Sequence, residues 1–288
     1  MYFHQSFSKS ITLSSIILSS ILLWENTAKA QVGISPLIIE SPAKRSQAKG
    51  TIQVINGSDE TFRARVYSEL FTYDSNRGFQ ELKSSPNDLR PYLEFSPREL
   101  EVAAGTERNI RFVVRFPPSL PDGEYRAVVF TENLKEIPLN TGQTTTAIIG
   151  RVGTVVYVRK GNVSPNLNVA SANWNPQTKQ IELLVKNTGK ATAYPSVNWT
   201  LKQGTKTVTT GVIPPTGLIF ATERNFQVNY STTQKESVLK PGKYQFTGEL
   251  VWKQQEKQKS LPFSFEVDIP LLADPPAETN TGREKVAQ

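Results

Sequence analysis

Asn109-Ile110-Arg111-Phe112-Val113-Val114-Arg115-Phe116 is the stretch that decides the fold. Ile110, Phe112, Val114 and Phe116 fall on one side of an extended chain, and Arg111, Val113 and Arg115 on the other. That is the two-residue period of a half-buried strand. Phe62, Ala64 and Val66 alternate with Arg63, Arg65 and Tyr67 in the same way, and Phe263, Phe265, Val267 and Ile269 with Ser264, Glu266 and Asp268. Turn signals punctuate these runs at Asn56-Gly57, Pro121-Asp122-Gly123, Asn187-Thr188-Gly189 and Pro241-Gly242. No window of a dozen residues carries a 3.6-residue period, so the pattern predicts an all-β protein, sandwich or barrel.

The chain repeats itself. Gly105-Thr106-Glu107-Arg108-Asn109-Ile110-Arg111-Phe112 precedes Leu120-Pro121-Asp122-Gly123-Glu124-Tyr125. Later, Ala221-Thr222-Glu223-Arg224-Asn225-Phe226-Gln227-Val228 precedes Leu239-Lys240-Pro241-Gly242-Lys243-Tyr244, and Gly50–Gly57 has a counterpart in Gln180–Gly189. Agreement in order at three places, offset by roughly 115–130 residues, predicts two immunoglobulin-like β-sandwich domains in tandem. The expected divisions are residues 1–30, a signal peptide; 31–160, the first sandwich; 161–270, the second; and 271–288, a disordered tail rich in Ala, Pro, Thr and charge. The boundary is expected in Lys160-Gly161-Asn162-Val163-Ser164-Pro165, which is polar with Gly and Pro.

The signal peptide is read from Lys9, the apolar run Ile11–Trp24 and the Ala28-Lys29-Ala30 end, with cleavage expected before Gln31. The run is about 14 residues where a membrane span needs about 20, so the exported chain is expected to have no span. The 288-residue sequence has no Cys and one His, His4, so a mature chain has neither. Ordinary zinc, copper and haem sites fall away with imidazole and thiolate, and so does Ser-His-Asp or Cys-His chemistry. The fold must be stabilised by core burial without disulfides. A net charge of +7 suits ordinary solubility, and the secretory signal argues against a nucleic-acid partner.

Carboxylates remain for acid–base work, but Glu40, Glu94, Glu99 and Glu124 sit at strand ends or turns, where solvated side chains are expected. No spacing singles out a pair, so no enzyme and no cofactor are predicted. Asp74-Ser75-Asn76 is the nearest approach to a calcium loop, and a hairpin turn explains it equally well. Arg63, Arg65, Arg111 and Arg115 read either as a basic patch or as the solvated sides of two amphipathic strands.

The segment after Gly123 is more specific. Tyr125–Thr131 reads as a strand, followed by Asn133-Leu134-Lys135-Glu136-Ile137-Pro138, a polar loop and the long strand Ala147–Arg159, which is apolar on both faces. Such strands are buried on both sides or pair with something outside the domain. Leu120-Pro121-Asp122, the hexapeptide Asn133–Pro138 and the ending Val156-Tyr157-Val158-Arg159 together resemble the periplasmic pilus (fimbrial) assembly chaperones, the PapD-like family, over roughly Ile34–Arg159. Ser96-Pro97 and Val102-Ala103-Ala104-Gly105 before Ile110 resemble that family in character.

The resemblance implies a periplasmic chaperone that binds secreted pilus or surface subunits by β-strand addition through the last strand of its first domain. The implied partner-binding residues are Ile148, Ile149, Arg151, Val152, Thr154, Val156 and Val158. Of the two alternating rows, that of Ile148, Val152, Thr154, Val156 and Val158 is expected to face the partner, being the longer; Ile149, Arg151, Gly153, Val155 and Tyr157 form the other. The family's carboxylate-binding Arg and Lys have no counterparts here. The first strand reads Ser35-Pro36-Leu37-Ile38-Ile39, the last has Thr154-Val155-Val156 where a Lys is expected, and Arg151 stands several residues early. The alternative function is a structural or adhesive envelope protein that keeps the fold without subunit capture. An uncovered last strand would favour the first reading, and a covered one the second.

Overall fold

The computed structural model describes residues 32–74, 78–135, 137–140, 145–228, 239–254 and 257–271. The expected signal peptide and the tail beyond Leu271 lie outside them, as do Ser75 and Asn76 of the calcium-loop candidate.

The first half runs β1 (Val32–Ser35), β2 (Ile38–Pro42), β3 (Gln47–Asn56), β4 (Phe62–Asp74), β5 (Gly78–Leu82), β6 (Leu93–Ser96), β7 (Glu99–Val102), β8 (Glu107–Arg115), β9 (Gly123–Asn133), β10 (Ile137–Asn140), β11 (Thr145–Ile148) and β12 (Arg151–Lys160). The second runs β13 (Leu167–Asn175), β14 (Gln180–Asn187), β15 (Ser196–Gln203), β16 (Lys206–Ile213), β17 (Thr222–Val228), β18 (Gly242–Gln254) and β19 (Lys257–Ile269). The sheet β1-β3-β8-β6 packs on β2-β12-β9-β4-β5, with β7 also paired to β4; the sheet β13-β14-β17 packs on β16-β15-β18-β19. The architecture is two immunoglobulin-like β-sandwiches in tandem.

Alternation places the cores. Ile110, Phe112, Val114 and Phe116 are buried against Ile52 and Val54 of their own sheet and Val66, Ala127, Val129, Val156 and Val158 of the other. Each such side chain contributes about 1.5–3 kcal/mol when removed from water. A separate core gathers Ile181, Leu183, Val185, Leu201, Phe246 and Val267.

The repeated letters have physical reasons. β3 pairs antiparallel with β8, as β14 does with β17. Each first partner ends in a buried asparagine that ties the following turn. Asn56 Nδ2 donates to Glu60 O (2.7 Å) and Val102 O (2.9 Å), and its Oδ1 accepts from Ser58 N (3.1 Å). Asn187 Nδ2 donates to Ala191 O (2.8 Å) and Leu218 O (3.1 Å), and its Oδ1 accepts from Gly189 N (3.1 Å). The tyrosines that close the second motif, Tyr125 and Tyr244, donate four residues back, to Pro121 O (2.9 Å) and Lys240 O (2.8 Å). This is the tyrosine corner of immunoglobulin-like sandwiches.

The single long strand expected over Ala147–Arg159 is instead two strands, β11 and β12, interrupted at Ile149-Gly150. At this level the neighbouring chain also leaves the sheet. Asn133 N donates to Gly150 O (2.9 Å) and Leu134 N to Arg63 O (2.9 Å), after which β10 and β11 re-pair as a hairpin with Ile137 opposite Ile148.

Candidate functional site

β12 is bonded along its whole length to β9, from Arg151 opposite Glu132 to Lys160 opposite Gly123. Its other edge is covered only in part. After the Ser35–Pro36 bend the chain crosses from the first sheet to the second, and β2 runs parallel to β12 with Ile38 opposite Val155 and Pro42 opposite Arg159. The cover begins where Val155 N donates to Leu37 O (2.8 Å). Backbone groups alternate along a strand, so Gly153 and Arg151 aim theirs to the same side as Val155. Among the described residues no strand pairs there. Around this opening stand exposed apolar side chains: Leu37 (54% exposed), Ile38 (44%), Ile149 (52%) and Val152 (40%).

The implied binding residues separate into two groups. Ile149, Arg151 and Val152 are exposed. Thr154, Val156 and Val158 are fully buried: Val156 and Val158 belong to the core of the first sandwich, and Thr154 Oγ1 donates to Pro36 O (3.1 Å). Ile148 closes β11, and its side chain lies outside the described set. The row expected to face a partner therefore turns inward over most of its length, which corrects that expectation. Nor is the other row free. Val155 and Tyr157 pack with Phe71, Val128 and Phe130, and with Ile219 of the second half. Alternation separates two faces without saying what covers each; here the sandwich core covers one and the second sandwich the other.

Arg151 is exposed, but its side chain is not free. Its Nη2 donates to Glu81 (2.6 Å), its Nη1 to Tyr67 Oη (3.0 Å), and its guanidinium lies 4.1 Å from the Phe130 ring centre. Tyr67 donates in turn to Glu132 Oε2 (2.6 Å), whose other oxygen accepts from Arg65 (2.5 Å). These hydrogen bonds from Tyr67 and Arg65 hold the Glu132 carboxyl below its ordinary pKa. A Cβ at position 153 would meet Val128 at 2.6 Å and Phe130 at 3.0 Å, so glycine there lets β12 lie close over the aromatic face. Where the resemblance implied two cations, β2 offers Ile38 beside Val155, an apolar pair.

The foot of β12 joins the two sandwiches. Glu124, expected to be solvated, is 0% exposed. It accepts from Arg159 Nε (2.9 Å) and from the backbone N–H of Thr192 (2.9 and 3.0 Å to its two oxygens). Arg159 Nη2 also donates to Glu40 (2.7 Å) and Thr192 O (2.9 Å). Burial opposes the Arg159 charge, but Glu40 and Glu124 outweigh it and raise its pKa. Sequence reasoning missed this cluster because Glu124 follows a Pro-Asp-Gly turn, and nothing local indicates that a second domain lies over it. The Arg63, Arg65, Arg111 and Arg115 set does not form one patch: the first two lie on β4 and the others on β8, in opposite sheets, and Arg63, Arg65 and Arg115 pair with Glu101, Glu132 and Glu94. Among the described residues no cluster of His, Cys, Asp and Glu could hold a metal ion, and no helix is long and apolar enough to cross a membrane.

No protein-family model matches the sequence, and no curated protein matches it. The folded chain is similar to solved structures of chaperones and of chaperone–subunit complexes. The class 5 fimbriae chaperone CfaA is 16% identical over 83% of this chain and 100% of its own, with a TM-score of 0.46. A chain of the CsuC–CsuE chaperone–tip adhesion subunit pre-assembly complex, from archaic chaperone-usher Csu pili of Acinetobacter baumannii, is 16% identical over 83% of this chain and 98% of its own (TM-score 0.45). The YadV chaperone is 11% identical over 82% and 100% (TM-score 0.45). The likeness is one of fold.

Proposed function

We propose that this protein is a non-catalytic, periplasmic chaperone-like binder that captures secreted pilus or surface subunits by adding a strand at the outer edge of β12. The observation that supports this reading is the uncovered stretch of that edge at Arg151–Thr154, beside the exposed apolar side chains of Leu37, Ile38, Ile149 and Val152. Unpaired N–H and C=O groups supply binding to any extended chain, and apolar neighbours supply selectivity. Val155–Arg159, already paired with β2, takes no part in strand addition. The partner-binding set is therefore Ile149, Arg151 and Val152, joined by Leu37 and Ile38.

The coverage of Val155–Arg159 favours the other reading, an envelope protein that keeps the fold without capture. One experiment separates the two. A photo-crosslinking residue is placed at Val152 in the exported protein and, as a control, at Lys206 on the far sandwich. Capture predicts a crosslinked subunit from position 152 and none from 206. It also predicts that the Ile149→Asp/Val152→Asp variant, folded as the parent is, loses that partner. Each side chain is already about half buried, so burying the rest is worth about 1 kcal/mol apiece, and the loss should be about one to two orders of magnitude in affinity. Equal crosslinking from both positions, or capture unchanged in the double variant, refutes the proposal.

A further inference from the structure

The second sandwich has an open edge of its own. β16 ends the sheet β16-β15-β18-β19, and among the described residues it pairs only with β15. Unpaired N–H and C=O groups along such an edge accept another strand, and proteins blunt them with charges, prolines and bulges. Two other outer strands of this sandwich follow that rule: β17 carries Glu223 and Arg224, and β19 carries Lys257, Lys259 and Pro262. β16 follows it only at its start. After Lys206, residues 207–213 include neither charge nor proline, and a bulge beside Lys202 leaves Val208 without a partner on β15. From Thr209 to Ile213 the pairing is regular. Ile213 packs on the core, and a Cβ at Gly211 would meet the Trp199 ring, whereas Val208, Thr210 and Val212 are exposed. Val212 is 65% exposed and Val208 36%, so the outer face of this edge presents two valines flanking a threonine.

This edge is complementary to itself. Directly opposed residues of an antiparallel pair lie on the same face of the sheet. A two-fold axis at Thr210 sets Val208 of each copy opposite Val212 of the other, with Thr210 opposite Thr210 between them. Pairs of β-branched residues and pairs of threonines are both favourable cross-strand neighbours. On the core side Thr209 falls opposite Gly211, which has no side chain to compete for the space. Lys206 falls opposite Pro214, so no like charges meet. An axis one residue on, at Gly211, would set Val212 against Thr210 and leave Val208 opposite Pro214. We infer that two copies of this chain join antiparallel along β16 about a two-fold axis at Thr210, merging two four-stranded sheets into one of eight. Such pairing uses the same edge of both copies and therefore closes at a dimer. About five residues a copy take part, against roughly 20–30 a side in a standard interface, so the dimer is weak and forms on concentration. The inference does not rest on strand addition at β12.

The chain has no cysteine, so single substitutions can read the register. Opposed residues of antiparallel strands have Cα atoms about 4.5–5.5 Å apart, within the span of roughly 4.4–6.8 Å that a disulfide bridges. In the full exported chain, Thr210→Cys should therefore form a disulfide-linked homodimer under mild oxidation. Thr200→Cys, one strand inward on the same face, should not. Val208→Cys and Val212→Cys, mixed, should link to each other more than either links to itself. Sedimentation velocity at rising concentration should show the unaltered chain passing from monomer to dimer. Val208→Lys/Val212→Lys sets like charges opposite each other and should weaken that association about tenfold or more. Urea unfolding checks the fold of the double variant, and the cysteine variants decide the matter if it does not fold. A crosslink between two copies has twice the mass of the chain, which distinguishes it from a captured subunit. A chain monomeric up to about 1 mM, or linked no better through Thr210→Cys than through Thr200→Cys, overturns the inference. So does a dimer linked through Val152→Cys at β12 in place of Thr210→Cys.

Discussion

Replacing Glu124 by Ala tests whether the two sandwiches are energetically one body. The carboxylate is fully buried and accepts from Arg159 Nε and from the backbone N–H of Thr192. Ala removes one partner of a buried ion pair, a change that costs about 3–5 kcal/mol, chiefly because the remaining charge stays buried and uncompensated. Arg159 keeps Glu40, which lowers the penalty, whereas the Thr192 N–H is left unpaired, worth about 1–3 kcal/mol in the other direction. A net loss of about 3–5 kcal/mol is expected. Glu124→Gln, which keeps an acceptor without the charge, should fall between parent and Ala. Urea unfolding read by tryptophan fluorescence makes the test directional. Trp174, Trp199 and Trp252 all lie in the second half, whereas Glu124 belongs to the first. Coupling through the junction predicts that the tryptophan transition moves to lower urea when a residue of the other sandwich is changed. A tryptophan transition unmoved by Glu124→Ala would refute the reasoning, leaving the buried cluster a local feature of the first sandwich.

Three further outcomes are expected. Ile219→Ala, which empties a site of the second half packed against Phe71 and Tyr157, should cost about 2–5 kcal/mol and raise proteolytic cutting at residues 161–166, read by fragment mass. Glu132, whose pKa is lowered by Tyr67 and Arg65, stabilises the fold above its ordinary value near 4.5, and this contribution is lost as the pH falls through its lower folded value. The melting temperature of the parent should therefore drop more between pH 5 and pH 3 than that of Glu132→Gln. Asn56→Ala and Asn187→Ala should each destabilise their own sandwich by about 1–3 kcal/mol, measured by urea unfolding, since buried carbonyl groups lose their donor.

The strand alternation around Ile110 and Phe112, the repeated Asn and Tyr positions and the turns between them determine the two-sandwich fold by themselves. The reason is that each of these effects is local: a two-residue period, an asparagine that ties the turn after it, a tyrosine that bonds four residues back. The site was legible only in outline. The apolar character of Ala147–Arg159 singled out the strand on which the proposed site stands, but three facts came from residues distant in sequence. Leu37 and Ile38 reach β12 and cover its lower edge, more than a hundred residues along the chain. Ile219 and Tyr194 arrive from the second sandwich to bury Val155 and Tyr157. Thr192 comes down on Glu124 and turns a turn-flanking carboxylate into a buried one. Alternation states that a side chain lies on one face or the other; which face is core, which is junction and which edge stays open depends on what packs there. Only the tertiary structure decides that, because burial and pairing belong to the pair of surfaces and not to the strand.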